Sequence, residues 1–356
     1  MSSVLVQQPS THFVLPDNSV AAEPAEYRGL ERDEVRLLAA TSTGISSHRF
    51  YELPELLEPG DLLVINTSPT LPAAIDAVLQ NGEHRRVHVS TALDNRDWVI
   101  EVRQVDNSGP ERGLNAGATM QIPGGRQLRL LHPYPDASAS RTRLWRAASP
   151  SDISHGSYLR RYGSPITYGY QPRSLPLSDY QTLYAMDAET DPVGSAEMAS
   201  AGRPISARLL ARAAARGIAV TPIILHAGVS SPESHEPPTP ERFVVPRSTG
   251  RLVEATRVAG GRVVAVGTTV VRALETAARP NGGVPATQGW TDLVMGPGRP
   301  PRVVTGLVSG LHEPEASHLL LLEAVAGQQL VAEAYLAAVA EHYLWHEFGD
   351  SMLFLP

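Results

Sequence analysis

The sequence predicts an α/β protein, with a mostly parallel sheet, flanking helices and an interrupting small antiparallel barrel or sandwich. Three observations predict it. From residue 203 onward, apolar runs and helix-period segments alternate as αβαβ. Between about 73 and 150, short stretches alternate polar and apolar residues between Gly and Asn turns. Residues 260–275, GGRVVAVGTTVVRALE, read as a buried strand, a glycine-hydroxyl turn and a helix start.

The elements follow in order. Residues 1–26 are polar and proline-containing, which predicts an extended lead-in. Periodic apolar residues at 31–40 predict a strand or a short helix, and 54–57 a helical turn ended by Pro59-Gly60. Residues 61–66, DLLVIN, predict a strand entering a turn at Ser68-Pro69. Residues 86–89, 98–102 and 127–131 carry the alternation of the middle section. Residues 151–200 are rich in Tyr, Ser, Pro and Gly without periodicity, which predicts a long functional loop returning to the main body. Ser206 caps a helix reaching Arg216 and stopped by Gly217. A strand at 220–225 ends at His226, and Ser248 or Thr249 caps a helix ending at Gly260-Gly261. The strand at 263–266 leads through Gly267 to a helix that Thr268 or Thr269 caps and that runs through Ala278. A Gly/Pro loop at 280–289, strands at 290–295 and 303–308, and helices at 316–326 and 328–348 complete the chain.

Composition narrows the chemistry. The 356 residues are 42% hydrophobic and 19% charged, ordinary for a globular protein. No run approaches the roughly 20 apolar residues of a membrane span, and MSSVLVQQPS lacks the features of a signal peptide. With no cysteine, disulfides and thiolate-held zinc are excluded, and a cytoplasmic location away from membranes is the expectation. The chain also has no lysine, so lysine-anchored PLP chemistry is excluded. The net charge of −7 argues against general nucleic-acid affinity. Residues 85–173 nevertheless hold 13 Arg against 7 Asp plus Glu, a local +6 that could meet phosphates or be spread around a barrel surface.

In an α/β layer, sites gather at the carboxyl ends of the strands. His226, the Gly267-Thr268-Thr269 turn and His312 all fall there. Amides at the helix start, two hydroxyls and Arg272 suit an anionic group, although the same turn also serves as a plain strand-to-helix connection. His226 and His312 are candidates to donate a hydrogen bond or move a proton near neutral pH. Their spacing is not that of metal ligands, so no metal is expected. Glu241, in a proline-stiffened loop, is a candidate base or amine ligand. Asp292, placed at the start of a strand, and Tyr180, in YQTLY, are secondary candidates for polar contact and base stacking.

Taken together, these segments resemble the S-adenosylmethionine:tRNA ribosyltransferase-isomerase family of queuosine biosynthesis. The resemblance spans nearly the whole chain. It rests on GDLLVINT (60–67), YQTLYA (180–185), LHAG (225–228), the GGRVVAVGTTVVRALE block, GWTD (289–292), LHEP (311–314) and FGDSML (348–353). It implies an α/β catalytic domain, here 1–72 and 151–356, around an inserted β-barrel domain at 73–150. It further implies S-adenosylmethionine as ribosyl donor and co-substrate, with neither metal nor other cofactor. The sulfonium acidifies the C5′ hydrogens, a base forms an ylide, and rearrangement of the ribose expels adenine and methionine. The implied acceptor is the aminomethyl group of a 7-deazaguanine in a tRNA anticodon. Thr268, Thr269 and Arg272 are then expected on the donor's polar groups, with Gly267, Ser200, Gly202, Tyr180 and Asp292 around it. His226, Glu241 and His312 are expected to move protons or hold the amine.

The chain departs from the family pattern at three places. Its PTAGLHFT motif reads here as residues 199–206, ASAGRPIS: Ser200 and Gly202 persist, but Pro204 replaces the His. Its HxxHxE loop keeps Glu241 but places Thr239 at the second His. Its NFHxPK reads Gly310-Leu311-His312-Glu313-Pro314-Glu315, losing the amide and reversing a charge. A general acid or base contributes about 10²–10⁴ in rate, so these losses motivate an alternative. In that reading the chain is a divergent paralogue processing S-adenosylmethionine by cyclisation or elimination, or with a small-molecule acceptor, without tRNA. A ligand-binding protein without activity is a third reading. Oligomeric state has no signature in the sequence.

Overall fold

β-branched and leucine-rich runs too short for helices build the sheet, and the residues between them supply its two covering layers. The structure is a computed structural model that describes residues 8–139, 142–150, 152–171, 173–187, 193–229, 238–314 and 316–356. The first strands are β1 (Arg36–Thr41) and β2 (Gly44–Arg49), followed by the short helix α1 (Leu53–Leu56) and β3 (Leu62–Asn66). Six strands then close a barrel: β4 (Ala74–Leu79), β5 (His84–Ala92), β6 (Trp98–Val102), β7 (Thr119–Ile122), β8 (Arg126–Pro133) and β9 (Leu144–Ala148). After α2 (His155–Tyr162) and α3 (Ala207–Ala215) come β10 (Ala219–Leu225), β11 (Glu241–Val245) and α4 (Arg247–Val258). Next are β12 (Val263–Val266), α5 (Thr268–Ala277), β13 (Thr287–Thr291) and β14 (Gly306–Gly310). The last elements are α6 (Ser317–Ala326), α7 (Gln328–Ala340) and β15 (Ser351–Leu355).

The nine-stranded sheet runs β13-β11-β10-β3-β12-β14-β15-β1-β2. Its centre, β10-β3-β12-β14, is parallel, as is the β15-β1 pair. The remaining ladders are antiparallel, so the sheet is mixed with a parallel core. Val263, Val264, Ala265 and Val266 are all buried, as a strand covered on both faces must be. One face packs Val253, Val271, Leu274, Leu322 and Tyr335 from α4 to α7. The other packs Leu53, Leu209 and Ala213 from α1 and α3. The barrel has its own core around Val87, Trp98, Ile100 and Leu128, closed by α2 through Tyr158, which sits 5.3 Å from the Trp98 ring.

Several elements differ from the sequence reading, each for a tertiary reason. Residues 151–200 contain α2, capped by Ser154, rather than loop alone. Helix α4 starts after Pro246, not at Ser248 or Thr249, because Thr249 is buried and donates to the Pro222 carbonyl at 2.6 Å. The strand expected at 303–308 is shifted to Gly306–Gly310. The amides of Val303 and Val304 turn to Glu275 Oε1, both at 2.9 Å, instead of a neighbouring strand. The strand expected at 290–295 is Thr287–Thr291, paired with β11; Leu293 and Met295 beyond it are buried without a ladder. Helix α7 stops at Ala340, not 348: His342 and His346 adopt φ of 55° and 72°, and the Trp345 amide donates to the Ser19 carbonyl at 2.7 Å. No single helix among the described residues is long and apolar enough to cross a membrane.

Candidate active site

The carboxyl ends of β12 and β14 open into a cavity of about 520 Å³ whose lining also includes Arg103 and Arg143 of the barrel. That volume lies within the roughly 300–1,000 Å³ of small-molecule sites.

Gly267 makes the turn into it. At φ 100° it occupies a conformation reserved for glycine, and its amide donates to the Val308 carbonyl at 2.8 Å, tying the turn to β14. Gly267 itself is the N-cap of α5, and neither Thr268 nor Thr269 caps the helix by its side chain. Both threonines line the cavity, and Thr269 Oγ1 accepts from Asn66 Nδ2 at 3.4 Å. The first amides of α5 have no intrahelical acceptor and carry the positive end of the helix dipole, so this edge suits an anion.

Arg272, one turn along α5, lines the cavity with its guanidinium engaged by protein groups. Its Nε donates to the Leu293 carbonyl at 3.1 Å, and Nη2 donates to the carbonyls of Thr239 and Thr291, each at 3.2 Å. Nη1 pairs with Glu241, whose Oε1 also accepts from the Gly228 amide at 3.0 Å. Glu241 is thereby fixed in the cavity wall with both oxygens engaged.

His312 leaves β14 where the sequence places it. Its Nε2 bonds Ser309 Oγ at 3.0 Å, its amide donates to Tyr335 Oη at 3.0 Å, and its ring stacks on His318 at 4.5 Å. Desolvation, reinforced by His318 and His346, holds its pKa well below that of a free imidazole, so it is neutral. Desolvation and then Arg272 bring His318 down to about 4. Beside them, His346 stacks on Tyr170 at 4.5 Å and pairs with Glu313 at 3.2 Å. Tyr170 lies 6.0 Å from Tyr168, which meets His88 of the barrel edge-on at 6.3 Å. Rings thus continue from His346 into the barrel. Next to them stand Glu197, which accepts from Tyr168 Oη, and Glu347. Desolvation, then the neighbouring Glu197, push Glu347 up to about 8.

The barrel contributes Arg103 and Arg143. Both grip Glu101, fully buried, at 2.6 and 2.8 Å, and Arg143 Nη2 reaches the Val229 carbonyl at 3.4 Å beyond the end of β10.

Of the residues singled out by sequence, Ser200, Gly267, Thr268, Thr269, Glu241, Arg272 and His312 line the cavity. Gly202 lies behind the wall, buried under Tyr184. His226 is buried away from the cavity lining; its Nδ1 bonds Ser68 Oγ at 2.8 Å, and Ser68 in turn bonds Ser195 at 2.7 Å. Tyr180 packs in a small cluster with Phe348, 5.4 Å between rings. Asp292 is exposed just past the end of β13, not at the start of a strand. Among the departures from the family pattern, Thr239 and Gly310 line the cavity, Pro204 is buried elsewhere, and Glu315 lies outside the described residues. Among the described residues there is no group of three or more side chains that could hold a metal. Sequence reasoning missed His318, His346, Glu197, Glu347, Tyr168 and Tyr170; His318 lies on the expected helix at 316–326, and His346 and Glu347 within that expected at 328–348, with nothing local to mark them, and the others lie outside any periodic segment.

The model of the queuosine biosynthesis protein family matches residues 9–354. An S-adenosylmethionine:tRNA ribosyltransferase-isomerase of Gloeobacter violaceus is 34% identical over 357 residues, covering 98% of this chain and 95% of that protein. Its counterpart in Thermosynechococcus vestitus is 33% identical, covering 97% and 94%. A crystal structure of S-adenosylmethionine tRNA ribosyltransferase from Thermotoga maritima, 28% identical, superposes with a TM-score of 0.53 over 96% of this chain and 98% of that one. The chain belongs to the queuosine biosynthesis protein family.

Proposed function

We propose that the protein is an S-adenosylmethionine:tRNA ribosyltransferase-isomerase, moving the ribosyl part of S-adenosylmethionine onto a 7-aminomethyl-7-deazaguanine in tRNA. The observation that carries this reading is the cavity between the Gly-Thr-Thr helix start and the barrel, in a chain that matches such enzymes from end to end. It presents helix amides at one edge, a neutral imidazole at the strand ends and several carboxyl groups in its lining. The first amides of α5 suit the carboxylate of the methionyl group. His312, uncharged across the neutral range, is free to take the C5′ proton, with Ser309 Oγ orienting its ring. Glu241, pinned by Arg272 and Gly228, fixes that part of the wall. The ylide then rearranges and expels adenine and methionine. His226, outside the lining, supports the strand ends rather than the reaction.

The tRNA would approach over the barrel, which we take as the inserted domain at 73–150. Most arginines of that section are tied into pairs such as Arg86–Asp76, Arg126–Asp152 and Arg146–Asp97. Arg129 of that section, and Arg160 and Arg161 on the adjoining α2, are exposed and available to phosphates. The whole-length match to enzymes acting on tRNA favours this reading over cyclisation, elimination or a small-molecule acceptor.

The test is incubation with S-adenosylmethionine and tRNA carrying the aminomethyl base. Adenine and methionine are expected in equal amounts, together with tRNA heavier by the ribosyl group. Folded protein that releases no adenine above background, or releases it equally without tRNA, refutes the assignment.

A further inference from the structure

The wall between the α7–β15 segment and the barrel holds a feature that ribosyl transfer as derived above leaves unused. Glu347 lines the cavity, and its Oε2 is sealed from solvent without a hydrogen-bond partner among the described residues. Glu197 stands close enough to raise it electrostatically and accepts from Tyr168 Oη. The faces of Tyr170 and His346 stack beside them. A desolvated carboxyl oxygen with no donor is costly unless a ligand supplies one. Two carboxyls next to tyrosine rings are suited to an organic cation.

We propose that Glu197 and Glu347, with Tyr168 and Tyr170, form a subsite for a primary ammonium group, that of the acceptor base. The inference rests on the transferase reading and assigns its acceptor end. An ammonium brings three N–H donors and one positive charge, whereas a sulfonium brings the charge but no donor for Glu347 Oε2. The position agrees: Tyr168 feels both carboxyls and also Glu101 of the barrel, so the pair lies on the barrel side of the cavity. The methionyl ammonium shares a carbon with the carboxylate and stays with it at the α5 start.

Glu347 holds its proton at neutral pH, because burial and then the neighbouring Glu197 raise it to about 8. An arriving ammonium displaces that proton, so its affinity rises as pH climbs from 6 toward 8. Among the described residues, the groups facing Glu347 are Glu197, Tyr168, Tyr170, Tyr180 and the His346–Glu313 pair. The tyrosines are held above their ordinary range by desolvation and stay neutral there.

The test is calorimetric titration of the whole protein with free 7-aminomethyl-7-deazaguanine and with 7-methyl-7-deazaguanine, which lacks the amine. The aminomethyl base should bind at least tenfold more tightly, as expected for hydrogen bonds to a charged group. Glu347→Gln should abolish that preference and its pH dependence. Glu197→Gln should reduce the preference, and both variants should bind S-adenosylmethionine as the parent does. Equal affinity for the two bases, no binding of either, or a preference that survives Glu347→Gln overturns the proposal. A tenfold loss of S-adenosylmethionine affinity in Glu347→Gln also overturns it, by placing the methionyl ammonium there instead. An intact ammonium preference in a protein that releases no adenine supports the subsite and faults the transfer reading alone.

Discussion

Replacing Arg272 by alanine separates a strut from a ligand-binding group. The side chains of Arg272 and Glu241 are 7% and 12% exposed, so solvent screens their pairing weakly. Arg272→Ala leaves Glu241 in the wall without its counter-charge and removes donors from the carbonyls of Leu293, Thr239 and Thr291. Breaking a buried pair from one side costs about 3–5 kcal/mol, and we take about 4. With an unfolding entropy of about 2.1 cal/mol/K per residue, this chain unfolds with about 0.75 kcal/mol/K, so the melting midpoint should fall by about 5 °C. The double variant Arg272→Met/Glu241→Leu removes both charges and should recover much of that loss. Differential scanning calorimetry of the parent, both single variants and the double variant measures the coupling. A midpoint unchanged within 1 °C, with S-adenosylmethionine affinity reduced a hundredfold, would show that Arg272 spends its charge on the ligand and refute the structural role.

Two further outcomes follow from buried groups. Burial, with Arg103 and Arg86 adding to it, depresses the His88 pKa to about 3. The unfolded chain takes up this proton near pH 6.5 and the native barrel does not, so the stabilisation is complete above about 6.5 and is lost as pH falls toward 3. By pH 5 the loss is about 2 kcal/mol from this residue, read as the difference in urea midpoint between pH 7.5 and pH 5 and flattened by His88→Gln. Gly202→Ala places a methyl group onto the Tyr184 hydroxyl and 3.1 Å from its Cζ, so Tyr184 must turn out of its slot. A loss of about 1–3 kcal/mol is expected by thermal melting, with partial recovery in Gly202→Ala/Tyr184→Phe.

The parts of the fold legible in the sequence are those with local causes. The four-residue strand at Val263–Val266 followed by glycine, and the Ser206 cap that accepts from Leu209 at 3.1 Å, lie where pattern and propensity agree. The barrel was visible as alternation. The parts that escaped are those where a distant side chain redirects the backbone. Glu275 captures the amides of Arg302, Val303 and Val304 and delays β14. Apolar periodicity past residue 340 suggested more helix, yet Asp350 Oδ2 takes the Leu344 amide at 2.8 Å and Ser19 takes that of Trp345. The candidate site divides the same way. Residues at strand ends, such as Thr268 and His312, were legible from position alone. Arg272 was expected on the donor's polar groups; its pairing with Glu241 and three carbonyls was not legible, because these four partners come from segments 19 to 33 residues away in sequence.

The error over α7 and the missed carboxyl are one event. A helix continued through 348 gives no reason to look for His346 and Glu347 in the site. The turn at His346, with φ of 72°, places both residues in the cavity wall. Glu197 was hidden for a related reason: it sits between the Ser195 and Met198 contacts, in a stretch with no period to read. This changes the meaning of the departures from the family pattern. Read one position at a time, Thr239, Pro204 and Gly310 look like losses of function. Read as a cavity, the same wall holds His312, His318, His346, Glu197, Glu241 and Glu347, so groups able to move protons are not scarce. Depletion of polar groups therefore gives no ground for an inactive protein. The discriminating question is which substrate atom each group meets, and the calorimetric comparison of the two deazaguanines at the Glu197–Glu347 pair decides it for the acceptor.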